Sequence, residues 1–106
     1  MEKIARNYTV NGTALTYTMP KEVDHHVAKD LCQELDRLIE SYGIIELVLD
    51  FSNTEFMDSS GIGVVIGRSK TMRFRGGNIV ATGIGKRVDT ILRSAGLYRL
   101  LQMKEE

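Results

Sequence analysis

The residues with the clearest chemical potential lie in one polar stretch, residues 58–63, which reads DSSGIG. An apolar run leads towards this stretch, and apolar residues at helical spacing follow it. Asp58, Ser59 and Ser60 are residue types that start helices, because their side-chain oxygens accept hydrogen bonds from the free N–H groups of the first turn. The same N–H groups and the helix dipole favour an added anion. Two interpretations stay open at this point, a plain helix cap or a serine that accepts a phosphoryl group with little structural cost.

The glycine-rich patterns of common enzymes are incomplete in this chain. Residues 61–67 have one residue too many between their glycines for the dinucleotide fingerprint, and residues 83–87 lack the first glycine and the Ser/Thr of a phosphate-binding loop. A nucleophile elbow needs Gly-x-Ser-x-Gly, but the residue two before Ser60 is Asp58. We therefore expect no catalytic residues, no cofactor and no enzyme activity.

A second polar cluster, Asp24-His25-His26, has residue types that bind metals or act as general bases. Neighbouring residues on a helix point about 100° apart, so two adjacent histidines chelate one ion poorly. No third or fourth ligand has a suitable spacing. We expect a helix cap followed by partly exposed histidines, with no metal, and a surface that contacts another protein stays possible.

Length and composition indicate one domain with one core. The chain has 106 residues, of which 42% are hydrophobic, enough for a single packed core. No apolar run approaches the roughly 18 residues of a membrane span, and the N-terminal residues lack a signal-peptide apolar region. Cys32 is the only cysteine, so no internal disulfide forms, and a cytoplasmic location is expected.

Charge is unevenly distributed although the net charge is zero. Residues 1–67 carry 5 Lys/Arg and 11 Asp/Glu, whereas residues 68–106 carry 9 and 3. A basic half can indicate nucleic-acid binding, but this one contains no nucleic-acid motif and few aromatic residues. We expect solvated helix faces and no direct contact with nucleic acid or membrane.

The first third of the chain predicts a β-hairpin and a long helix. Strands are expected over residues 3–10 and 13–19, joined by Asn11-Gly12, a pair typical of a type I′ turn. An amphipathic helix is expected over residues 24–42, with Asp24 as N-cap and Gly43 at its end. Its apolar stripe is formed by Val27, Leu31, Leu35, Leu38 and Tyr42.

The remainder of the chain alternates strands with helices. The expected ranges are 44–51 (strand), 58–75 (helix), 78–82 (strand), 85–95 (helix) and 98–103 (strand). Gly61 and Gly63 weaken the second helix, so we expect them to allow close approach to a sheet or a partner. The order β-β-α-β-α-β-α-β predicts an α/β domain whose mixed four- to five-stranded sheet contains right-handed βαβ crossovers.

Residues 56–64, which read FMDSSGIGV, resemble the signature of bacterial anti-sigma factor antagonists in the STAS domain family. Asp24-His25-His26 is similar to the start of the first helix in the sporulation type, and residues 77–80 and 94–97 also fit. The resemblance covers almost the whole chain and implies a single STAS domain over residues 1–106. It favours phosphorylation over the plain-cap interpretation.

The resemblance implies a switch protein. In such families the unphosphorylated antagonist binds an anti-sigma factor that is also a serine kinase, and this frees a sigma factor. The kinase uses ATP to phosphorylate the serine that matches Ser59, the modified antagonist dissociates, and a serine phosphatase restores it. The chain is expected to act as a monomer. The expected partner-binding residues are Asp24, His25, His26, Asp58, Ser59, Ser60, Gly61, Gly63 and Val64.

The chain departs from the family pattern in two places. Lys21 stands where the family commonly has glycine before Glu22-Val23-Asp24. The chain also stops soon after the last expected strand, so the family's final helix is expected to be absent. Two other functions stay open: a small-molecule- or nucleotide-binding STAS module, and a component of a large stress-signalling assembly.

Overall fold

The computed structural model describes residues 7–103. The predicted beginning of the first strand, residues 3–6, and the charged tail, residues 104–106, lie outside the described residues. Within the described part, no helix is long and apolar enough to cross a bilayer.

A mixed five-stranded sheet forms the centre of the domain, as the strand pattern predicts. Its spatial order is β1-β2-β4-β6-β7, with β1 antiparallel to β2 and all other neighbours parallel. The carboxyl ends of the four parallel strands therefore share one edge of the sheet. The strands are β1 (Tyr8–Asn11), β2 (Ala14–Thr18), β4 (Glu46–Asp50), β6 (Asn78–Thr82) and β7 (Gln102–Met103).

The turn between β1 and β2 differs from the predicted type I′ turn. Asn11 pairs with Ala14, so the two loop residues are Gly12 and Thr13. Gly12 has φ of 65°, and no non-glycine residue in the range 7–103 has a positive φ. A type I′ turn needs positive φ at both loop residues, whereas glycine at the first position alone is typical of type II′.

Three helices confirm the predicted helical ranges. They are α1 (His25–Tyr42), α2 (Ser59–Phe74) and α3 (Lys86–Ser94). Asp24 and Asp58 are the N-caps of α1 and α2, and Gly43 ends α1 in the left-handed conformation. Tyr42 was expected in the apolar stripe of α1, but half of it is exposed, because it lies in the last turn, where the helix leaves the core.

The segment after α3 was expected to be a strand over residues 98–103, and most of it is not. Leu97–Arg99 forms a short 3-10 turn in which the Leu100 N–H donates to the Leu97 carbonyl at 2.9 Å. Gly96 precedes it with φ of 71°. Leu97 is buried, so this turn serves to place an apolar side chain in the core, and only Gln102–Met103 joins the sheet.

One hydrophobic core joins the sheet to the helices. Leu15 of β2, Leu47 of β4 and Ile79 of β6 lie in register across the sheet and are buried. They belong to the same buried cluster as residues of α1, α2 and α3, among them Leu35, Leu38, Val65, Met72, Val88 and Leu92. Burial of one such side chain stabilises the fold by roughly 1.5–3 kcal/mol.

A small second sheet was not predicted. It consists of β3 (Glu22–Val23), which precedes α1, and β5 (Phe56–Met57), which precedes α2, paired in parallel. Two residues are too few to show the alternation by which strands are recognised. This sheet joins the segments that lead into two helices, and it therefore sets where those helices begin.

Candidate functional site

The small sheet brings the N-termini of α1 and α2 together. Val23 pairs with Met57, and the Asp58 N–H donates to the Val23 carbonyl at 3.3 Å. The residues that follow this pair, Asp24 and Asp58, are the two N-caps. The two polar clusters of the sequence thus form one site at the paired helix starts.

Gly61 allows α2 to approach β3. A Cβ atom on Gly61 would lie 2.1 Å from the carbonyl oxygen of Val23, a distance that no side chain tolerates. The expected close approach is confirmed for Gly61, and the surface it meets is within this chain. Gly63 is different, because a Cβ atom added there would have none of the described residues within 4 Å, and the residue is exposed.

The Asp58 carboxylate caps both helices. Its Oδ1 accepts hydrogen bonds from the N–H groups of Ser60 at 2.8 Å and Gly61 at 3.1 Å, and its Oδ2 accepts one from the N–H of His25 at 3.2 Å. Partial burial opposes ionisation of this carboxyl. The hydrogen bonds from Gly61, His25 and Ser60 outweigh it and hold the pKa of Asp58 below its usual value. Asp58 is therefore a fixed negative charge at neutral pH.

His25 and His26 are exposed beside these caps. The Asp24 Oδ1 accepts a hydrogen bond from the His26 N–H at 3.0 Å. The His25 Nδ1 lies 3.6 Å from the Asp58 Oδ2, and the two imidazole rings have centroids 4.0 Å apart. The side chains are 68% and 75% exposed, which confirms the prediction of a cap followed by partly exposed histidines.

Ser59 and Ser60 occupy different environments. Ser59 is the first residue of α2 and is exposed, and within residues 7–103 its hydroxyl makes no hydrogen bond. Ser60 is half-buried, and its N–H is held by Asp58. Val64, one turn further on, is only 2% exposed and packs in the core. Val64 and Gly61 are thus both buried within this chain, and they position the helix from beneath.

Phe56 lies beside the site, and its exposure was not evident from the sequence pattern. It lies on β5, two residues before Asp58, and is 48% exposed, whereas its neighbour Met57 is 3% exposed. The alternation of a strand points one of the two side chains inward and the other outward. A run of two apolar residues gave no sign of which one is exposed. An exposed aromatic ring beside a polar cluster is typical of a protein contact surface.

The chain and its fold have counterparts among known proteins. A family model described as STAS domain matches residues 5–106. The anti-sigma F factor antagonist of Paenibacillus polymyxa is 32% identical over 80 residues, which span 76% of this chain and 68% of that protein. The solved structure of the anti-sigma factor antagonist SpoIIAA in its unphosphorylated form superposes with a TM-score of 0.80 at 22% identity, covering 92% of this chain and 84% of that one.

A structure of the Bacillus cell fate determinant SpoIIAA in the phosphorylated form superposes with a TM-score of 0.73 at 21% identity, covering 92% of this chain and 86% of that one. The fold is thus shared with proteins solved in both phosphorylation states. The chain belongs to the STAS domain family, within its group of anti-sigma factor antagonists.

Proposed function

We propose that this protein is a phosphorylation-controlled switch that binds an anti-sigma factor with serine kinase activity and thereby releases a sigma factor. Phosphorylation of Ser59 by that kinase ends the binding, and a serine phosphatase reverses it. The observation that carries the proposal is the exposed Ser59 at the start of α2, directly beside the ionised Asp58.

Accessibility favours Ser59 as the phosphate acceptor. A kinase must bring the acceptor hydroxyl to the γ-phosphate of ATP, so the serine side chain has to be accessible at the protein surface. Ser59 is exposed and meets this condition. Ser60 is half-buried, and its N–H donates a hydrogen bond to the Asp58 carboxylate. Ser59, the first residue of α2, is thus the better phosphate acceptor.

A phosphate on Ser59 changes the surface more than the fold. It adds about −1.5 to −2 charges at neutral pH. The N–H groups of Ser60 and Gly61 already donate to Asp58, so the phosphate has to share them or extend outward. Like-charge repulsion from Asp58 favours the outward position. The new charge then lies where the partner had packed against a neutral hydroxyl.

The contact surface in this proposal comprises the exposed side chains around the two helix starts. It includes Ser59 together with the exposed side chains of His25, His26 and Phe56. Gly63, exposed one turn along α2, lets a partner backbone approach closely. A few kcal/mol lost from such a contact lowers the affinity by roughly 10²–10³.

The proposal is tested by capture from the native cell lysate. The immobilised 106-residue chain and its Ser59→Ala variant should both retain one protein with a serine kinase sequence, identified by mass spectrometry. The Ser59→Asp variant is the matched control and should retain little of it. Equal capture by all three forms, or capture of no kinase, would contradict the switch.

The same proposal makes the protein a cytoplasmic monomer without turnover of its own. Size-exclusion chromatography should give the mass of a single 11.9 kDa chain. Incubation of a contaminant-free preparation with ATP or GTP should leave the nucleotide intact. Stable oligomers would favour a role in a large assembly, and nucleotide hydrolysis would favour the nucleotide-binding alternative.

A further inference from the structure

The ends of α1 and α2 meet, as their starts do. The Arg75 Nε donates to the Ile44 carbonyl at 3.1 Å, and the Asn78 N–H donates to the Ile45 carbonyl at 2.9 Å. Gly77 allows this approach, because a Cβ atom there would overlap the Ile45 carbonyl oxygen. The turn that ends α1 and the turn that ends α2 are therefore held against each other, at the end of the domain away from Ser59.

Three apolar side chains of these two turns are exposed. Phe74, the last residue of α2, is 94% exposed, and Tyr42 and Ile45 are each about half exposed. We call these three residues the apolar tip. The Phe74 ring contributes almost no buried surface to the fold, so its burial against a second surface would be favourable.

Cations flank Phe74 along the chain. Residues 68–77 read RSKTMRFRGG and carry four cations and no acid. Lys70 and Arg73 are exposed, and neither makes an ion pair within residues 7–103. Residues 39–46, at the end of α1, contribute two acids, so the two segments together carry two positive charges. Cations in a last turn also complement the helix dipole, but the dipole does not account for an exposed phenyl ring beside them.

A basic depression of about 250 Å³ adjoins the apolar tip. Arg73 lines it from α2 and Arg99 lines it from the 3-10 turn, and no acid is among the described residues that form its wall. The Arg99 Nε donates to the Gly96 carbonyl at 3.2 Å, which leaves the two terminal nitrogens of this guanidinium for a ligand. Two guanidinium groups at one depression suit an oxyanion such as a phosphate.

We propose that this end of the domain binds an anionic lipid surface. A headgroup phosphate lies between Arg73 and Arg99, and Phe74 enters the apolar boundary beneath the headgroups. An apolar tip with cations beside it matches the order of layers in such a surface. Phe74 stands out from the domain, so a broad surface fits it better than an extended peptide does.

The proposed contact is peripheral. The lack of a long apolar run in the sequence argues against a spanning segment, but binding at the surface of a bilayer needs only a few apolar side chains and cations. The proposal involves neither Ser59 nor the kinase, so it is independent of the switch function.

A single fluorophore can report the contact, because the chain contains no tryptophan. Phe74→Trp should shift its emission to shorter wavelength when vesicles of mixed phosphatidylcholine and phosphatidylglycerol are added at low ionic strength. Phe56→Trp is the matched control, since Phe56 is a half-exposed aromatic residue at the other end of the domain, and its emission should not shift. No shift for Phe74→Trp, or equal shifts for both variants, would overturn the proposal.

Charge variants assign the binding to the depression. In sedimentation of the 106-residue chain with the mixed vesicles, Arg73→Gln and Arg99→Gln should each lower the partition coefficient by about fivefold. Phe74→Ala should lower it by roughly tenfold. Arg87→Gln removes the same charge from an exposed position in α3 that does not line the depression, and it should have little effect. Equal weakening by Arg87→Gln would mean that only the general charge acts, which would contradict the proposed site.

Three further probes separate a lipid surface from other anions. Vesicles of phosphatidylcholine alone, inorganic phosphate and an acetylated polyglutamate peptide should each leave the emission of Phe74→Trp in place. An equal response to neutral and anionic vesicles would remove the role of the two arginines and overturn the proposal. A response to polyglutamate as large as that to anionic vesicles would assign the surface to an acidic protein instead, and a response to phosphate alone would assign it to a free anion.

Discussion

The Asp58 carboxylate accepts a hydrogen bond from the N–H of His25, 33 positions earlier in the chain, while it caps its own helix. His25 is the first residue of α1, so one side chain ties the starts of two helices together. The geometry around Ser59 therefore depends on an ionised group that belongs to the fold as well as to the site.

Asp58→Asn should lower the urea midpoint of unfolding at pH 7. The pKa of Asp58 is depressed in the folded state, so its contribution to stability is present above the unfolded pKa of about 3.9. The contribution is lost as the pH falls through the folded pKa. The difference in urea midpoint between wild type and Asp58→Asn should hence be largest at neutral pH and should disappear in strong acid.

Asp24→Asn is the control for this comparison, because the Asp24 carboxylate holds the start of one helix only. Its effect at pH 7 should be smaller than that of Asp58→Asn. If the difference in urea midpoint between wild type and Asp58→Asn stays constant between neutral and strongly acidic pH, the charge of Asp58 is not what joins the two helices.

Gly61→Ala and Gly63→Ala should change stability in opposite directions. The added methyl at residue 61 meets the Val23 carbonyl oxygen, and such overpacking costs roughly 1–3 kcal/mol. The methyl at residue 63 enters open space, and the change from Gly to Ala in an exposed helix favours folding by about 1 kcal/mol. Chemical denaturation of the two variants measures both effects.

The Gly63→Ala variant also tests the contact surface, because it remains folded. If a partner backbone packs closely on α2, its affinity for this variant falls although stability rises. Unchanged or improved affinity of Gly63→Ala would exclude close packing at this position, and equal destabilisation of both variants would contradict the described approach of α2 to β3.

Most of the architecture follows from periodicity and end signals in the sequence. Sequence reasoning correctly predicted the caps Asp24 and Asp58 and the end residue Gly43. An aspartate side chain accepts hydrogen bonds from the free N–H groups of a helix start, and glycine adopts the left-handed conformation that ends a helix. The β1–β2 turn was predicted in the wrong class, since Asn-Gly is compatible with a loop centred on either Asn11-Gly12 or Gly12-Thr13.

The parts that sequence reasoning missed depend on contacts between distant segments. The pairing of β3 with β5 is a tertiary contact between two-residue strands, so no local pattern reports it. The bond from His25 to Asp58 follows from that pairing. The exposure of Phe56 and the burial of Val64 depend on which side of β5 and α2 faces the core, and only the assembled fold decides this.

Phe56→Ala should weaken the binding of the anti-sigma factor without unfolding the protein. The ring is about half exposed beside the helix starts, and truncation of an aromatic anchor commonly lowers affinity by roughly tenfold or more. Phe74→Ala is the matched control, since Phe74 is 94% exposed at the far end of α2. Isothermal titration with the kinase compares the two variants. Equal affinities would remove Phe56 from the contact surface.

The most direct test of the account is to map the phosphate by mass spectrometry after incubation with the kinase and ATP. The wild type should carry one phosphate on Ser59, Ser60→Ala should still carry it there, and Ser59→Ala should carry none. Phosphate on Ser60 of the wild type, with Ser59 unmodified, would contradict the assignment of the exposed first residue of α2 as the switch.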